Sequence, residues 1–191
     1  MFNKAQEGEI VGKALTYWEE FKSYNSKEVE LKQRERITWE PPPAGWIKLN
    51  VDVAVLKDIG TGFGVFARDE RGHFLMAPVC RERIQWTPEL AEVKAIAFGV
   101  QQMGRYGFSS VIIETDCQSA FLALEKTEVM RMEAGTLIRE LKADATSLSL
   151  IQWSFVKREG NGAVHLMSHT KCNWDTQECW VSRPPVFSYH F

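Results

Sequence analysis

The sequence predicts an α/β fold: a mixed five-stranded sheet in the order βββ-α-β-α-α-β-α, with helices packed on it. Three observations carry this prediction. Period-two alternation marks a first strand and two further strand segments follow, the last pair joined by turn residues, so the chain begins as an antiparallel meander. A capped helical stretch follows. Beyond it, short apolar runs alternate with helical periodicity, the pattern of strands joined by crossover helices.

Each element has its own justification. Ile47, Leu49, Val51, Val53 and Val55 alternate with Lys48, Asn50, Asp52 and Ala54, which reads as a half-buried strand. Gly62 to Ala67 is the second strand, Asp69-Glu70-Arg71-Gly72 supplies the turn, and His73 to Cys80 returns as the third. Thr87-Pro88-Glu89 places a capping hydroxyl before Pro at the first helical position. Val93, Ile96, Ala97, Val100 and Met103 then form the apolar face of a helix ending near Gly104 or Gly107. Val111-Ile112-Ile113 is a continuous apolar run, expected of a strand covered on both faces. Gln118 to Leu124 reads as a short helix, and Ile138, Leu141, Ala145 and Leu148 as the face of another. Ile151 to Val156 is the fifth strand and Ala163 to His169 the closing helix. Gly60-Thr61-Gly62-Phe63-Gly64 lacks the Lys and helix of a phosphate loop and reads as a flexible strand start.

The flanks differ from this body. Residues 1–40 hold one amphipathic helix, with Ile10, Val11, Ala14, Leu15, Trp18 and Phe21 at helical spacing, then a charged stretch and the stiff connector Pro41-Pro42-Pro43. That apolar stripe is expected to dock on the chain's own domain, with a protein partner as the alternative. Residues 41–170 form the domain, and 171–191 an aromatic tail without clear period.

Composition bounds the function. Across 191 residues, 23 basic and 25 acidic side chains give a net charge of −2, which excludes a uniformly basic nucleic-acid binder. No apolar h-region opens the chain, and no run approaches the roughly 20 residues needed to cross a bilayer. Cys80, Cys117, Cys172 and Cys179 contain no C-x-x-C pair and are expected as reduced thiols. An intracellular protein, nuclear or cytoplasmic, is the expectation.

Three acids stand where propensity disfavours them or where a ligand crevice is expected. Asp52 lies inside a strand, opposite Leu49 and Val51, although Asp is depleted from strands. Asp116 follows the apolar run at the carboxyl end of a central strand, where open α/β sheets bind ligands. Glu92 lies in the first turns of the helix after Pro88, beside its apolar stripe. Singly, each reads as a solvated, capping or strand-end acid; together, on this element order, they are more informative.

The order of elements and the strings Trp39-Glu40-Pro41-Pro42-Pro43, Trp46-Ile47-Lys48-Leu49-Asn50-Val51-Asp52, Leu90-Ala91-Glu92, Glu114-Thr115-Asp116 and Arg158-Glu159-Gly160-Asn161 resemble the ribonuclease H fold. Within it, they are similar to plant ribonuclease H-like domains found alone and at the ends of non-LTR retrotransposon polyproteins. The resemblance covers about residues 39–170. It implies that Asp52, Glu92 and Asp116 are catalytic, metal-binding carboxylates for Mg²⁺ or Mn²⁺, which favour hard oxygen ligands. It also implies two ions about 4 Å apart, cleavage of the RNA strand of an RNA/DNA hybrid, and discrimination through 2′-hydroxyls.

The chain departs from that family pattern in four places. A fourth acid is expected where His165 stands; imidazole can ligate a metal or shuttle a proton, so His165 joins the catalytic and metal-binding set, with lower metal affinity. Val53 replaces a Gly whose backbone approaches the RNA strand. The mobile His expected just after Val156-Lys157 is absent, with Glu159 near its place. Residues 117–149 carry four basic and five acidic side chains, so no basic handle grips the DNA strand and hybrid binding is expected to be weak. A catalytically weakened module that binds nucleic acid or a protein partner is therefore the alternative. His165 and His169, four apart on a helix and followed by Cys172, leave a zinc site as a further reading.

Overall fold

The computed structural model describes residues 39–126, 132–146, 148–169, 175 and 177–181. The chain divides between residues 40 and 41, and all the elements below belong to the second part. The amphipathic helix expected within residues 1–40, Cys172 and the end of the tail lie outside the described residues.

The elements run β1 (Ile47–Leu56), β2 (Gly60–Arg68), β3 (Phe74–Glu82), α1 (Pro88–Arg105), β4 (Ser110–Thr115), α2 (Gln118–Lys126), α3 (Met132–Ala145), β5 (Leu150–Phe155), a 3-10 turn (Arg158–Asn161), α4 (Gly162–Ser168) and β6 (Gln177–Val181). The five expected strands lie in the order β5-β4-β1-β2-β3, the meander antiparallel and the β1–β4 and β4–β5 pairs parallel. This mixed sheet is the predicted fold. A sixth strand extends it: β6, from the segment expected as an aperiodic aromatic tail, pairs antiparallel with the outer edge of β3. The pairing satisfies backbone groups that an edge strand otherwise leaves open.

Helix α1 starts where its cap predicts, with the Thr87 hydroxyl accepting from the Leu90 N–H and Pro88 in the first turn. It packs over the Leu49 and Val51 face of β1. Gly99 makes this contact close, because a Cβ there would lie 2.9 Å from both Leu49 Cδ2 and Val51 Cγ1. Val93, Ile96, Val100 and Met103 join Leu49, Val51, Val65, Val111 and Ile113 in the core, with Ile138 and Leu141 of α3. No helix among the described residues is long and apolar enough to cross a membrane.

The opposite face of β1 corrects the expectation of a half-buried strand. Lys48, Asn50 and Asp52 are 7%, 1% and 6% exposed, so β1 is buried on both faces. Helix α4 lies on this second face against β2, and Gly64 stands directly opposite Asp52 in the β1–β2 register. A Cβ at Gly64 would sit 2.5 Å from the Ser168 backbone nitrogen, and one at Gly62 would overlap the Ser168 carbonyl oxygen. The glycines read as a flexible strand start are therefore the floor on which α4 rests. Gly64→Ala should destabilise the protein by about 2 kcal/mol through overpacking, lowering the thermal midpoint by about 4–8 °C; circular-dichroism melts that leave the midpoint unchanged would contradict this packing.

Candidate active site

Alternation along β1 puts Lys48, Asn50 and Asp52 in one row, with the 3-10 turn and α4 over its Asn50–Asp52 part. A row of buried polar groups requires partners, and each has them. Lys48 Nζ forms a 2.8 Å ion pair with Glu114 Oε1 on the adjacent parallel strand β4. Asn50 Nδ2 donates to Glu114 Oε2 at 2.9 Å and to Asn161 Oδ1 at 3.1 Å, while its Oδ1 accepts from Arg68 Nη2 at 2.6 Å. Arg68 also lies 5.3 Å from the Phe66 ring centroid. Burial lowers its guanidinium pKa to about 9, against the opposing influence of Glu114.

Asp52 continues the row towards the carboxyl end of β1. Its Oδ2 accepts from the Ser168 hydroxyl at 2.8 Å and from His165 Nδ1 at 3.0 Å. Asn161 links this strand to the end of β4: its Nδ2 donates to the Val51 carbonyl at 2.9 Å and to Asp116 Oδ1 at 3.2 Å. Asp116 follows β4 immediately, and Glu92 enters from the first turns of α1.

The three acids are electrostatically coupled. Burial, then the charges of Asp116 and Asp52, push the Glu92 carboxyl up to about 8, with Arg158 opposing. Burial also raises Asp116, and Asp52 adds to the rise, while a backbone hydrogen bond, the Asn161 amide and Arg158 oppose it. Glu92 Oε2 is buried without a hydrogen-bond partner among the described residues. An orphaned carboxylate oxygen among mutually repelling acids fits a divalent cation, which supplies both a ligand contact and the missing positive charge.

Of the four residues predicted for the site, His165 and Asp52 are in direct contact, Asp116 joins them through Asn161 and its charge, and Glu92 joins through charge. Among the described residues, donor atoms of Asp52, His165 and His169 lie within 4.8 Å of one another, which brings in a residue with no predicted part in the carboxylate set. Asn161, Ser168 and Arg158 also act in this region without a role predicted from the sequence. Asn161 and Arg158 stand in the Arg-Glu-Gly-Asn string, and Gly64 opposite Asp52 was the available sign that a helix comes close there.

The comparisons agree with this architecture. A family model described as reverse transcriptase-like matches residues 50–171. No curated protein matches the sequence. Among solved structures, ribonuclease H1 from the halophilic archaeon Halobacterium salinarum is similar with a TM-score of 0.60 at 13% identity, covering 65% of this chain and 95% of that one. The N-terminal ribonuclease H domain of a Mycobacterium tuberculosis protein gives a TM-score of 0.58 at 14% identity, over 65% and 96% of the two chains. LC11 ribonuclease H1, from a compost metagenome and solved with an RNA/DNA hybrid, gives 0.59 at 15% identity, over 64% and 94%.

The raised Glu92 pKa has a consequence for stability without metal. Folded Glu92 keeps its proton up to about pH 8, whereas in the unfolded chain it ionises near 4.5. The stabilisation is thus complete below pH 4.5 and is lost as pH rises towards 8, with a slope of up to about 1.4 kcal/mol per pH unit. Urea unfolding in chelator at pH 5 and 7.5 should show Glu92→Gln gaining stability relative to wild type at the higher pH. A difference independent of pH would contradict a buried, repelled carboxyl.

Proposed function

Because the chain belongs to the reverse transcriptase-like family, we propose that its carboxylate site is that of a divalent-metal-dependent hydrolase cleaving the RNA strand of RNA/DNA hybrids. The observation that carries this reading is the buried, unpartnered Glu92 oxygen beside Asp52 and Asp116. A structural acid in such a place would be expected to have a hydrogen-bond donor. The ribonuclease H folds above, one of them solved on a hybrid, support the choice of substrate.

Asp52, Glu92 and Asp116 would hold the cations, Mg²⁺ or Mn²⁺, with His165 at the rim. Bound there, the cations would lower the pKa of an attacking water and neutralise the leaving 3′ oxygen of an RNA phosphodiester. The chain's own residues prepare the site. Ser168 and His165 fix the rotamer of Asp52, and Asn161 holds Asp116 against the end of β1. With Nδ1 donating to Asp52, His165 keeps Nε2 free to take or return a proton, and its side chain is 41% exposed. An imidazole in place of a fourth carboxylate contributes no negative charge, so the site should need more metal than an all-carboxylate one. It should also favour Mn²⁺, which accepts nitrogen ligands more readily than Mg²⁺.

The test is cleavage of a labelled RNA/DNA hybrid in Mg²⁺ or Mn²⁺ by wild type and by Asp116→Asn, with folding checked by circular dichroism. Wild type should cleave the RNA strand faster in Mn²⁺, and Asp116→Asn should lose about 1,000-fold or more, the scale of removing one electrostatic contributor from an active site. Folded wild-type protein no more active than Asp116→Asn would refute the hydrolase reading and leave a binding module.

A further inference from the structure

We propose that Asp52, His165 and His169 form a two-histidine, one-carboxylate site for a borderline transition-metal ion of the Zn²⁺ class, overlapping the carboxylate set at Asp52. The binding site stands on its own geometry. Its effect on cleavage rests on the hydrolase reading above.

Helix α4 ends at Ser168, with His169 as its capping residue. Positions 165 and 169 are therefore one turn apart, and their rings meet edge to face with centroids 4.4 Å apart. Beneath them lies Asp52, its Oδ2 3.0 Å from His165 Nδ1. Two ligands at about 2.0–2.1 Å from one tetrahedral ion stand about 3.3 Å from each other. The His165 Nδ1–Asp52 Oδ2 separation is thus close to that of neighbouring ligands once the ion displaces to solvent the proton that Nδ1 shares with Asp52 in the metal-free protein, and donor atoms of all three residues lie within 4.8 Å of one another.

The surrounding hydrogen bonds fit the same assignment. His169 Nδ1 contacts the His165 carbonyl at 2.9 Å and the Ser168 hydroxyl at 3.2 Å; in the tautomer that donates to the carbonyl, the Nε2 lone pair is available. This is the usual arrangement of a metal-ligating histidine, whose second nitrogen is held by an outer partner. Ser168 supplies such a partner for Asp52, donating to it from a hydroxyl in a residue only 1% exposed. Imidazole pairs suit Zn²⁺, Co²⁺ or Ni²⁺, whereas Mg²⁺ prefers oxygen alone. The donor set therefore selects a different ion from the one that Glu92 and Asp116 would hold. Zinc seated on the two histidines would engage Asp52 and compete with the hydrolytic cations for it.

The experiment titrates zinc chloride into the full-length, metal-free protein by calorimetry, without nucleic acid, using wild type, His169→Ala, His165→Gln and Glu92→Gln. One zinc per chain should bind to wild type and persist in millimolar Mg²⁺. Affinity should fall about 100-fold in each histidine variant, at least the upper end for losing an outer-shell partner, and change little in Glu92→Gln. Zinc binding that survives both histidine substitutions, or that is lost in Glu92→Gln but not in them, would overturn the site. A parallel hybrid-cleavage assay in Mg²⁺ keeps the two readings apart. Zinc binding without any cleavage refutes only the hydrolase, and cleavage without histidine-dependent zinc binding refutes only this inference.

Discussion

The burial of a polar row on β1 is the constraint from which the site follows. Lys48, Asn50 and Asp52 are sequestered on a central strand, and unpaired polar groups there would each cost roughly 1–3 kcal/mol. The fold supplies partners from four directions: Glu114 from the parallel neighbour, Arg68 from the hairpin, Asn161 from the 3-10 turn, and Ser168 with His165 from α4. Gly62 and Gly64 matter for the same reason, since side chains there would lift α4 away and leave Asp52 without its donors. Structural satisfaction and site assembly are thus one set of contacts.

The row changes character along its length. At Lys48 and Asn50 every charge has a counter-charge or a neutral hydrogen-bond partner within reach, which is how a structural network is built. Towards Asp52 the balance reverses. The charges of Asp52 and Asp116 act on Glu92, and that of Asp52 on Asp116, with Arg158 opposing both, and Glu92 is pushed far above the usual carboxylate range. Unrelieved repulsion in a buried setting is unfavourable for folding alone, and it marks functional sites more often than scaffold.

Much of this was legible in the sequence. The meander, the capped start of α1 and the β4 run were read from periodicity and capping, because each depends on neighbours along the chain. Asp52 and Asp116 stood out by breaking strand propensity or ending an apolar run. β6 did not stand out, since its place depends on the open edge of β3 rather than on its own pattern. Period-two alternation correctly placed Lys48, Asn50 and Asp52 on one face, yet it could not say that α4 and the 3-10 turn would cover the Asn50–Asp52 part of that face. Ser168 was hidden for a related reason: its role exists only because two glycines on a distant strand let the helix backbone approach. His169 was noticed as an i+4 partner of His165, but the carboxylate that joins them lies more than a hundred residues earlier.

Crystals grown with Mn²⁺ and measured at an X-ray energy giving anomalous signal from the metal test whether the three carboxylates hold a divalent cation. An anomalous peak is expected among the carboxylates of Asp52, Glu92 and Asp116, with Glu92 Oε2 in contact with the ion. Full Mn²⁺ exposure with no peak there, and Glu92 turned away from Asp52 and Asp116, would contradict a divalent-cation site.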